Sequence, residues 1–436
     1  MGRTKEKSGE KQRLDEEETK EPNFKEKCAQ CLRGPKQIIR SIVLMTCMVV
    51  VVYQIAECLR KIRNPPTTTY THFDYDDTIE YPAVTVCRDP PYKLEVLDKY
   101  GLYGHPRFTS EWKYFNFDEV DVDQFWHEAT YDKTENFIAI ALNSTPENTL
   151  IKDNLHFISG KCQTVYPLVE MPTANKETGY SLLLGHSMTD IKNSSSTIPP
   201  GYHVYIHQVE EPFTEKTTAT QMEYIYVNVG EHVDIKLEVQ QVNMLSGGPE
   251  VCDSSEGYST AACSEKCRND EILEEVGCSG PWMETSVPRC SNYSGMRDLI
   301  IKYIQLVDEV YTDCDCPRRC RSSLYRAYVV NRNFFTLWNS ETKTWNFRTD
   351  ADRYQTQLYI YFNSKIVSVY QETHGYDWSL FLADFGGSLG FLLGLSVLGV
   401  ISILENVFKT FIRPLVPKRR PPSDDKLFEK ERQEMR

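Results

Sequence analysis

Three glycines recur every four residues in the second of two apolar stretches: Gly386, Gly390 and Gly394. On a helix this spacing places them on one face, where a missing side chain lets another backbone approach closely. Two acids, Asp384 and Glu405, lie at the ends of the same stretch. Ionisable groups in a membrane span usually face protein or water, and rings of acidic side chains attract cations. The spacing is typical of helix packing, and the two acids favour a cation pore.

Both apolar stretches are long enough to form transmembrane helices. We place the first at residues 41–59 and the second at residues 377–408, because about 20 apolar residues cross the hydrocarbon core of a lipid bilayer. Two helices cannot enclose a water-filled path. A channel built from this chain must therefore contain several subunits.

Composition and net charge argue against two classes of protein. The mean hydropathy of −0.47 excludes a many-spanning transporter, and the net charge of −13 argues against binding to nucleic acid. Basic residues precede the first stretch and follow the second, which predicts cytosolic tails at residues 1–40 and 409–436. Residues 60–376 are then extracellular, in a multi-pass protein of the plasma membrane. The charged residues before the first stretch do not fit a cleaved signal peptide.

The extracellular segment contains ten cysteines and three glycosylation sequons. An even number of cysteines in an oxidising compartment predicts five disulfides rather than a metal site, although spacing alone does not select the pairs. The cysteines are Cys87, Cys162, Cys252, Cys263, Cys267, Cys278, Cys290, Cys314, Cys316 and Cys320. The sequon asparagines are Asn143, Asn193 and Asn292.

Periodicity within the same segment predicts both strands and a helix. Apolar and polar residues alternate at residues 202–207, 224–229, 232–239 and 355–362, which indicates strands. Apolar residues at 295–311 have helical spacing. The expected architecture is an α+β ectodomain, rich in disulfides, between two transmembrane helices.

Several motifs together carry a resemblance to a known family. Tyr81-Pro-Ala-Val-Thr-Val-Cys87 resembles the motif that follows the first span of the degenerin, epithelial sodium channel and acid-sensing channel family. Gly394-Leu395-Ser396 resembles the G-x-S selectivity filter of that family. The cysteine cluster that begins with Cys263-x-x-x-Cys267 is also similar, and the resemblance covers residues 34 to 408.

The resemblance implies a homo- or heterotrimer of sodium-conducting subunits, each with a hand-shaped ectodomain that includes a helical thumb. It also implies a blocker of the amiloride type. The disulfides implied are Cys87–Cys162, Cys252–Cys320, Cys263–Cys316, Cys267–Cys314 and Cys278–Cys290. The implied filter is Gly394, Leu395 and Ser396, and the implied pore-lining residues are Asp384, Gly386, Gly387, Gly390, Ser402 and Glu405.

The resemblance also assigns residues to gating. Ala383 falls where the family needs a small residue for closure, so a bulkier residue there should favour opening. Gly34 keeps the glycine before the first span, although Arg33 stands where the family usually has histidine. Tyr75 is a candidate for one half of an aromatic contact between ectodomain and spans. Ser402 replaces a usual glutamate, so sodium selectivity should be weaker than in the most selective relatives.

We therefore predict a subunit of a voltage-insensitive, amiloride-sensitive-type sodium channel. It needs no cofactor beyond the permeant sodium ion, and it opens on a proton, a peptide or a mechanical stimulus, or constitutively. One alternative is a trimeric ATP-gated cation channel, and another is a non-conducting, double-anchored adhesion or ligand-binding ectodomain. No catalytic residue is predicted, because a G-x-S-x-G match at residues 386–390 lies inside an apolar stretch.

Overall fold

A computed structural model describes residues 35–193, 200–215, 222–246, 251–308, 314–394, 399, 401–402 and 405–406. The chain divides into two compact units. The first, which we call the helical unit, combines Met1–Pro66 with His374–Arg436. The second, which we call the sheet unit, is Thr67–Thr373.

The described residues contain eight α-helices, two short 3₁₀-helices (Glu111–Tyr114 and Pro146–Asn148) and sixteen strands. The helices are α1 (Pro35–Arg63), α2 (Leu94–Lys99), α3 (Val122–Ala129), α4 (Lys133–Asn136), α5 (Met188–Asn193), α6 (Thr260–Val276), α7 (Tyr293–Asp308) and α8 (Trp378–Leu393). The strands are β1 (Thr67–Tyr75), β2 (Ala83–Asp89), β3 (Phe137–Leu142), β4 (Thr149–His156), β5 (Gly160–Pro167), β6 (Tyr180–Ser187), β7 (Gly201–His207), β8 (Glu223–Asn228), β9 (Glu231–Asn243), β10 (Cys252–Asp253), β11 (Arg318–Arg319), β12 (Arg321–Phe334), β13 (Thr336–Asn339), β14 (Thr344–Phe347), β15 (Thr349–Asp350) and β16 (Arg353–His374). Each predicted strand overlaps an observed one, and the predicted helix at 295–311 overlaps α7.

Helix α1 extends beyond the predicted span of residues 41–59 at both ends. Within the described part of the chain it is the one helix long and apolar enough to cross a membrane. Helix α8 is apolar but shorter, because it ends at Leu393. Residues 399, 401–402 and 405–406 are again helical, whereas the residues between them lie outside the described part. A continuous second span over residues 377–408 stays a prediction.

The larger sheet has seven strands, with β16 at its centre. Its strand order is β12-β9-β16-β6-β3, and β1 and β15 also pair with β16. Strand β16 runs antiparallel to β6 and parallel to β9. From Leu358 to Phe362 alternate residues are buried, namely Leu358, Ile360 and Phe362, as expected for a strand whose successive side chains point to opposite faces.

The smaller sheet has five strands in the order β4-β5-β2-β7-β8, all of them antiparallel. Its central strand β2 is the apolar Ala-Val-Thr-Val-Cys run, and it is buried from Ala83 to Arg88. Val84 and Val86 belong to one hydrophobic core with residues of the larger sheet, such as Leu182 and Ile235. Burial on both faces explains why this run is uninterrupted by exposed polar positions.

We call α6 and α7 the helical pair. A second hydrophobic core lies beneath these two helices. It is built from large aromatic side chains, and Trp112 stacks on Trp126 with ring centroids 5.5 Å apart. Trp282 contacts both Trp126 and Phe157 at 5.1 and 4.6 Å. Tyr303 of α7 packs against Phe157 at 5.4 Å. Aromatic packing therefore joins the helical pair to α3 and to the turn between β4 and β5.

Five disulfides constrain the sheet unit. They are Cys87–Cys162, Cys252–Cys320, Cys263–Cys316, Cys267–Cys314 and Cys278–Cys290, the same pairs that the family resemblance implies. The first joins β2 to its neighbour β5. Two others join α6 to the segment that leads into β11. These two disulfides thus link α6 to residues that follow α7 in the chain.

We expect Cys263→Ala, Cys316→Ala and the double variant to be destabilised equally. Each removes the same bond, which closes a loop with a sequence separation of 53 residues, and the loss should be about 2–4 kcal/mol. The measurement is the unfolding temperature of the purified chain, together with its amount at the cell surface. Unequal effects of the two single variants would contradict this pairing.

Candidate functional site

Helix α8 packs against α1 with one face. Along α8 the more buried side chains include Phe381, Phe385, Ser388 and Leu392, spaced as on one helix face. Leu392 lines a common cleft with residues of α1 such as Val43. On α1 the more buried positions follow the same kind of spacing, and Val51 and Cys58 are buried. Each helix therefore has one packed face within the helical unit.

The opposite face of α8 is exposed and consists of small residues. Its members are Ala383, Gly386, Gly387 and Gly390. At 3.6 residues per turn they lie roughly 180° from the face on α1. Among the described residues, a Cβ placed on Gly386 or Gly387 would meet no atom within 4 Å apart from its chain neighbours and the nearby backbone of α8 itself. This face can accept another helix at close range.

Gly394 does not continue the helix as its spacing predicts, because it ends α8. Its φ of +63° is in the left-handed region, and its backbone N–H donates to the carbonyl oxygen of Leu389. A glycine in this conformation is a frequent helix terminator, since it has no Cβ to clash with the carbonyl that follows. The carbonyl groups of the last helical turn then have no partner within the helix.

Asp384 lies on the exposed side of α8 and contacts the start of the same helix. The hydroxyl of Tyr376 donates to its Oδ2 at 3.1 Å. The Nζ of Lys61 lies 5.5 Å from the centre of the Tyr376 ring, and the N–H of Gly375 donates to the Pro66 carbonyl at 2.7 Å. The end of α1 and the beginning of α8 are therefore linked through Tyr376.

The remaining predicted residues are not brought to this site by described contacts. Ser402 and Glu405 are exposed and helical. Tyr75 is exposed at the end of β1. Gly34, Leu395 and Ser396 lie outside the described residues.

The predicted glycosylation sites lie in the sheet unit. Asn292 is exposed, and its Oδ1 accepts the N–H of Gly295 at the start of α7. Asn143 follows β3 with a positive φ of 51°. Asn193 is the last residue of α5, and its side chain lies outside the described part.

Sequence reasoning missed a segment after β7, residues 208–215, which we call the strap. Its Glu211 binds the first turn of α6, where the carboxylate accepts N–H groups of Thr260 and Ala261 at 3.1 and 2.9 Å. The hydroxyl of Ser259 also donates to it, at 2.9 Å. A carboxylate is favoured there because the N-terminus of a helix has free N–H groups and a partial positive charge.

The strap makes a second carboxylate contact at its end. Glu215 accepts the N–H groups of Ile158 and Ser159 at 2.7 and 2.8 Å, and the hydroxyl of Tyr303 donates to it at 2.7 Å. One side chain thus joins α7 to the turn between β4 and β5. Its partners lie 56 to 88 residues away, so no local sequence pattern could have found it.

Buried charge surrounds the base of the helical pair. Arg268 of α6 is 2% exposed, and its Nη2 lies 3.9 Å from Glu265 Oε1. Within the part of the chain that the structure describes, its Nε and Nη2 have no hydrogen-bond partner. Burial raises the pKa of Glu265, and the charges of Glu215 and Glu284 raise it further, while Arg268 lowers it. Burial is therefore the dominant influence on this carboxyl group.

Comparison with known families finds one match that spans most of the chain. The sequence model described as "Amiloride-sensitive sodium channel" matches residues 26–157 and 154–405. These ranges include α1, both sheets, the helical pair and α8.

Individual relatives are distant. Degenerin del-1 of Caenorhabditis elegans is 22% identical over 317 residues, which are 66% of this chain and 46% of that protein. The bile acid-sensitive ion channel of Homo sapiens is 20% identical over 424 residues, 86% of this chain and 81% of that protein. Pickpocket protein 11 of Drosophila melanogaster is 23% identical over 37% of this chain and 30% of its own length. The chain thus covers less than half of del-1 and of Pickpocket protein 11.

One solved structure, a proton-activated chloride channel, aligns over 85% of this chain and 96% of its own. The sequence identity is 8% and the TM-score is 0.32. A score this low supports no conclusion about fold or function.

The raised pKa of Glu265 predicts how stability depends on pH. A folded-state pKa above the ordinary value of 4.5 means that the folded chain binds this proton more tightly than the unfolded chain. The contribution of this proton to the stability of the folded chain is complete below the ordinary pKa. It is lost as the pH rises through the raised pKa of the folded state. We expect Glu265→Gln to flatten this part of the profile, because an uncharged amide cannot lose a proton.

The measurement is the unfolding temperature of the full-length chain in detergent as the pH rises from about 4 to about 8, a range that begins near the ordinary pKa of a carboxyl group. Glu274→Gln is the matched control, since Glu274 is exposed on the same helix. An unchanged profile for Glu265→Gln, or an equal change for the control, would contradict the assignment.

Proposed function

Because the chain belongs to the amiloride-sensitive sodium channel family, we propose that it is a subunit of a voltage-insensitive, amiloride-sensitive channel that conducts sodium. The observation that carries the proposal is the two-sided character of α8. One face packs on α1, and the opposite face carries Ala383, Gly386, Gly387 and Gly390. Such a face suits close contact with the same helix of neighbouring subunits. We propose a homo- or heterotrimer with α8 around its axis.

In this assembly Asp384 lies above the constriction and attracts cations towards it. The end of α8 at Gly394 supports a cation site below, because the carbonyl groups at a helix C-terminus carry partial negative charge. A sodium ion must exchange its hydration shell for such oxygen atoms. Leu395 and Ser396 complete the proposed filter, with Gly386, Gly387, Gly390, Ser402 and Glu405 along the pore.

We propose that the α8 helices of neighbouring subunits move apart when the channel opens. Ala383 lies on the small-residue face, so a bulkier side chain there would hold neighbouring helices apart and favour the open state. Gly34 and Tyr75 are proposed to contribute to gating, as in the family pattern. The stimulus is proposed to act on an extracellular sheet unit, by a proton, a peptide or a mechanical load, with both tails in the cytosol and the chain in the plasma membrane.

The proposal is tested by voltage clamp of cells that express the full chain at their surface. We expect a current that is independent of voltage steps, falls when sodium is replaced by a large organic cation, and is blocked by amiloride. Acid steps in the same cells test proton gating. A current evoked by ATP would instead favour the ATP-gated alternative. No current from the chain, alone or with related subunits, despite proven surface delivery, would overturn the proposal.

Replacement of Gly394 tests the filter. The left-handed conformation costs a residue with a Cβ about 1–2 kcal/mol, so Gly394→Ala should shift the end of α8 and lower the ratio of sodium to potassium permeability. Gly277→Ala is a matched control, because Gly277 ends α6 with φ of +79° and also has free space around it. We expect the control to keep the wild-type ratio. A ratio unchanged by Gly394→Ala would contradict the role of this glycine.

A further inference from the structure

Tyr376 is a buried tyrosine in a helical unit that exposes many of its large apolar side chains. It is 8% exposed, whereas Trp378, two residues later, is 69% exposed. A buried hydroxyl needs a hydrogen-bond partner, and the Tyr376 hydroxyl donates to Oδ2 of Asp384 at 3.1 Å. This hydrogen bond joins the residue before the N-cap of α8 to a carboxylate in the second turn of the same helix.

The end of α1 holds the Tyr376 side chain from the other side. The Nζ of Lys61 lies 5.5 Å from the centre of the ring, a distance at which an ammonium group is attracted to an aromatic face. Cys58, one turn earlier on α1, is 6% exposed, and its thiol interacts with the Tyr376 hydroxyl. The N–H of Gly375 donates to the Pro66 carbonyl at 2.7 Å. These contacts fix the phenol between α1 and α8.

Asp384 lies on the exposed side of α8, but not at the centre of the small-residue face. At about 100° per residue, it is roughly 110° from the centre of that face and roughly 70° from the face that packs on α1. Its place on the helix therefore leaves the direction of the carboxylate open. The side-chain rotamer decides this direction, and the hydrogen bond from Tyr376 selects the rotamer.

The hydrogen bond occupies one of the two carboxylate oxygen atoms. Among the described residues no donor reaches Oδ1 of Asp384, and the side chain is exposed. Carboxylate oxygens are the ligands that hard cations prefer. A carboxylate that is already fixed loses less rotamer freedom when it binds a cation than a mobile one does. The contact therefore prepares Asp384 to bind a cation.

The start of α8 does not depend on this hydrogen bond. Asp377 is the N-cap, and its carboxylate accepts the N–H of Leu380 at 2.9 Å and the hydroxyl of Ser379 at 2.8 Å. An N-cap of this kind satisfies the free N–H groups of the first turn. The effect that is specific to the Tyr376 hydroxyl is thus on the orientation of Asp384.

We propose that Tyr376 is a positioning residue for Asp384. In the proposed channel, on which this inference rests, Tyr376 holds Oδ2 in each subunit and leaves Oδ1 to cations at the mouth of the pore. Because Lys61 and Cys58 hold the phenol, a displacement of the end of α1 relative to α8 releases the carboxylate. The position of α1 thereby changes the affinity of the pore mouth for cations.

The role in the pore is tested by the block of the sodium current by external calcium in cells that express the full chain. Tyr376→Phe keeps the ring and removes the hydroxyl. We expect it to raise the half-blocking calcium concentration at least about threefold, because mobile carboxylates lose more rotamer freedom on binding. Tyr226→Phe is the matched control, since the Tyr226 hydroxyl also donates to a carboxylate, that of Asp89 at 2.9 Å in the sheet unit. It should leave the block unchanged.

An effect that acts through Asp384 must disappear when its carboxylate is removed. In the Asp384→Ala background we expect Tyr376→Phe to have no further effect on the remaining block. Tyr376→p-aminophenylalanine, whose amino group can donate, should restore the wild-type block. Should Tyr376→Phe fail to reach the surface, Tyr376→p-fluorophenylalanine fills the place of the hydroxyl without a donor and gives the same readout. A wild-type current that calcium does not block, equal block in wild type and Tyr376→Phe, the same shift in the Asp384→Ala background, or no restoration would overturn the inference.

The contact itself is tested without any current, by the unfolding temperature of the full-length chain in detergent. Tyr376→Phe and Asp384→Ala remove the same hydrogen bond, so we expect the double variant to lose less than the sum of the two single losses. Additive losses would overturn the inference. A chain that shows this coupling but carries no current would refute the proposed function, and with it the role of the contact in a pore. A conducting chain whose calcium block ignores the hydroxyl would refute this inference alone.

Discussion

The pairing of β16 with neighbours on both sides is the constraint on which the larger sheet depends. This strand is antiparallel to β6 and parallel to β9, and β1 also pairs with it. Its buried residues belong to the core shared by both sheets. A strand with hydrogen-bonded neighbours on each side cannot shift by one residue without turning its apolar side chains outward. Residues 375–377 connect β16 to the beginning of α8.

The helical pair is attached by aromatic packing and, in addition, by polar contacts. Two carboxylates of the strap hold it: Glu211 at the first turn of α6 and Glu215 at Tyr303 of α7. Hydrogen bonds to charged groups contribute roughly 1.5–3 kcal/mol each, so these contacts can be broken at moderate cost compared with the sheet core. The disulfides keep the helical pair itself stiff.

Local sequence preference and structure disagree most clearly in α8. Glycine lowers helix stability by roughly 1 kcal/mol per residue relative to alanine, yet Gly386, Gly387 and Gly390 all lie within the helix. Proteins usually break such local rules at functional positions. The packing on α1 can compensate for this cost, while the small-residue face of α8 stays exposed within the single chain. Gly394 shows the opposite behaviour, because there the freedom of glycine ends the helix.

The sequence by itself determined the alternation that became β7, β8 and β9, the long apolar helix α1 and the number of disulfide-forming cysteines. These features follow from local periodicity and composition, which act on neighbouring residues. The choice of cysteine pairs needed a family resemblance, because spacing is compatible with many connectivities. Only the tertiary structure decided that Gly394 ends α8, that Glu211 and Glu215 bind partners tens of residues away, and that the hairpin of β13 and β14 carries a paired Trp338 and Trp345 in the open. Each depends on which distant segments pack together, and long-range packing overrides local propensity because most of the stabilisation comes from burial rather than from the local chain.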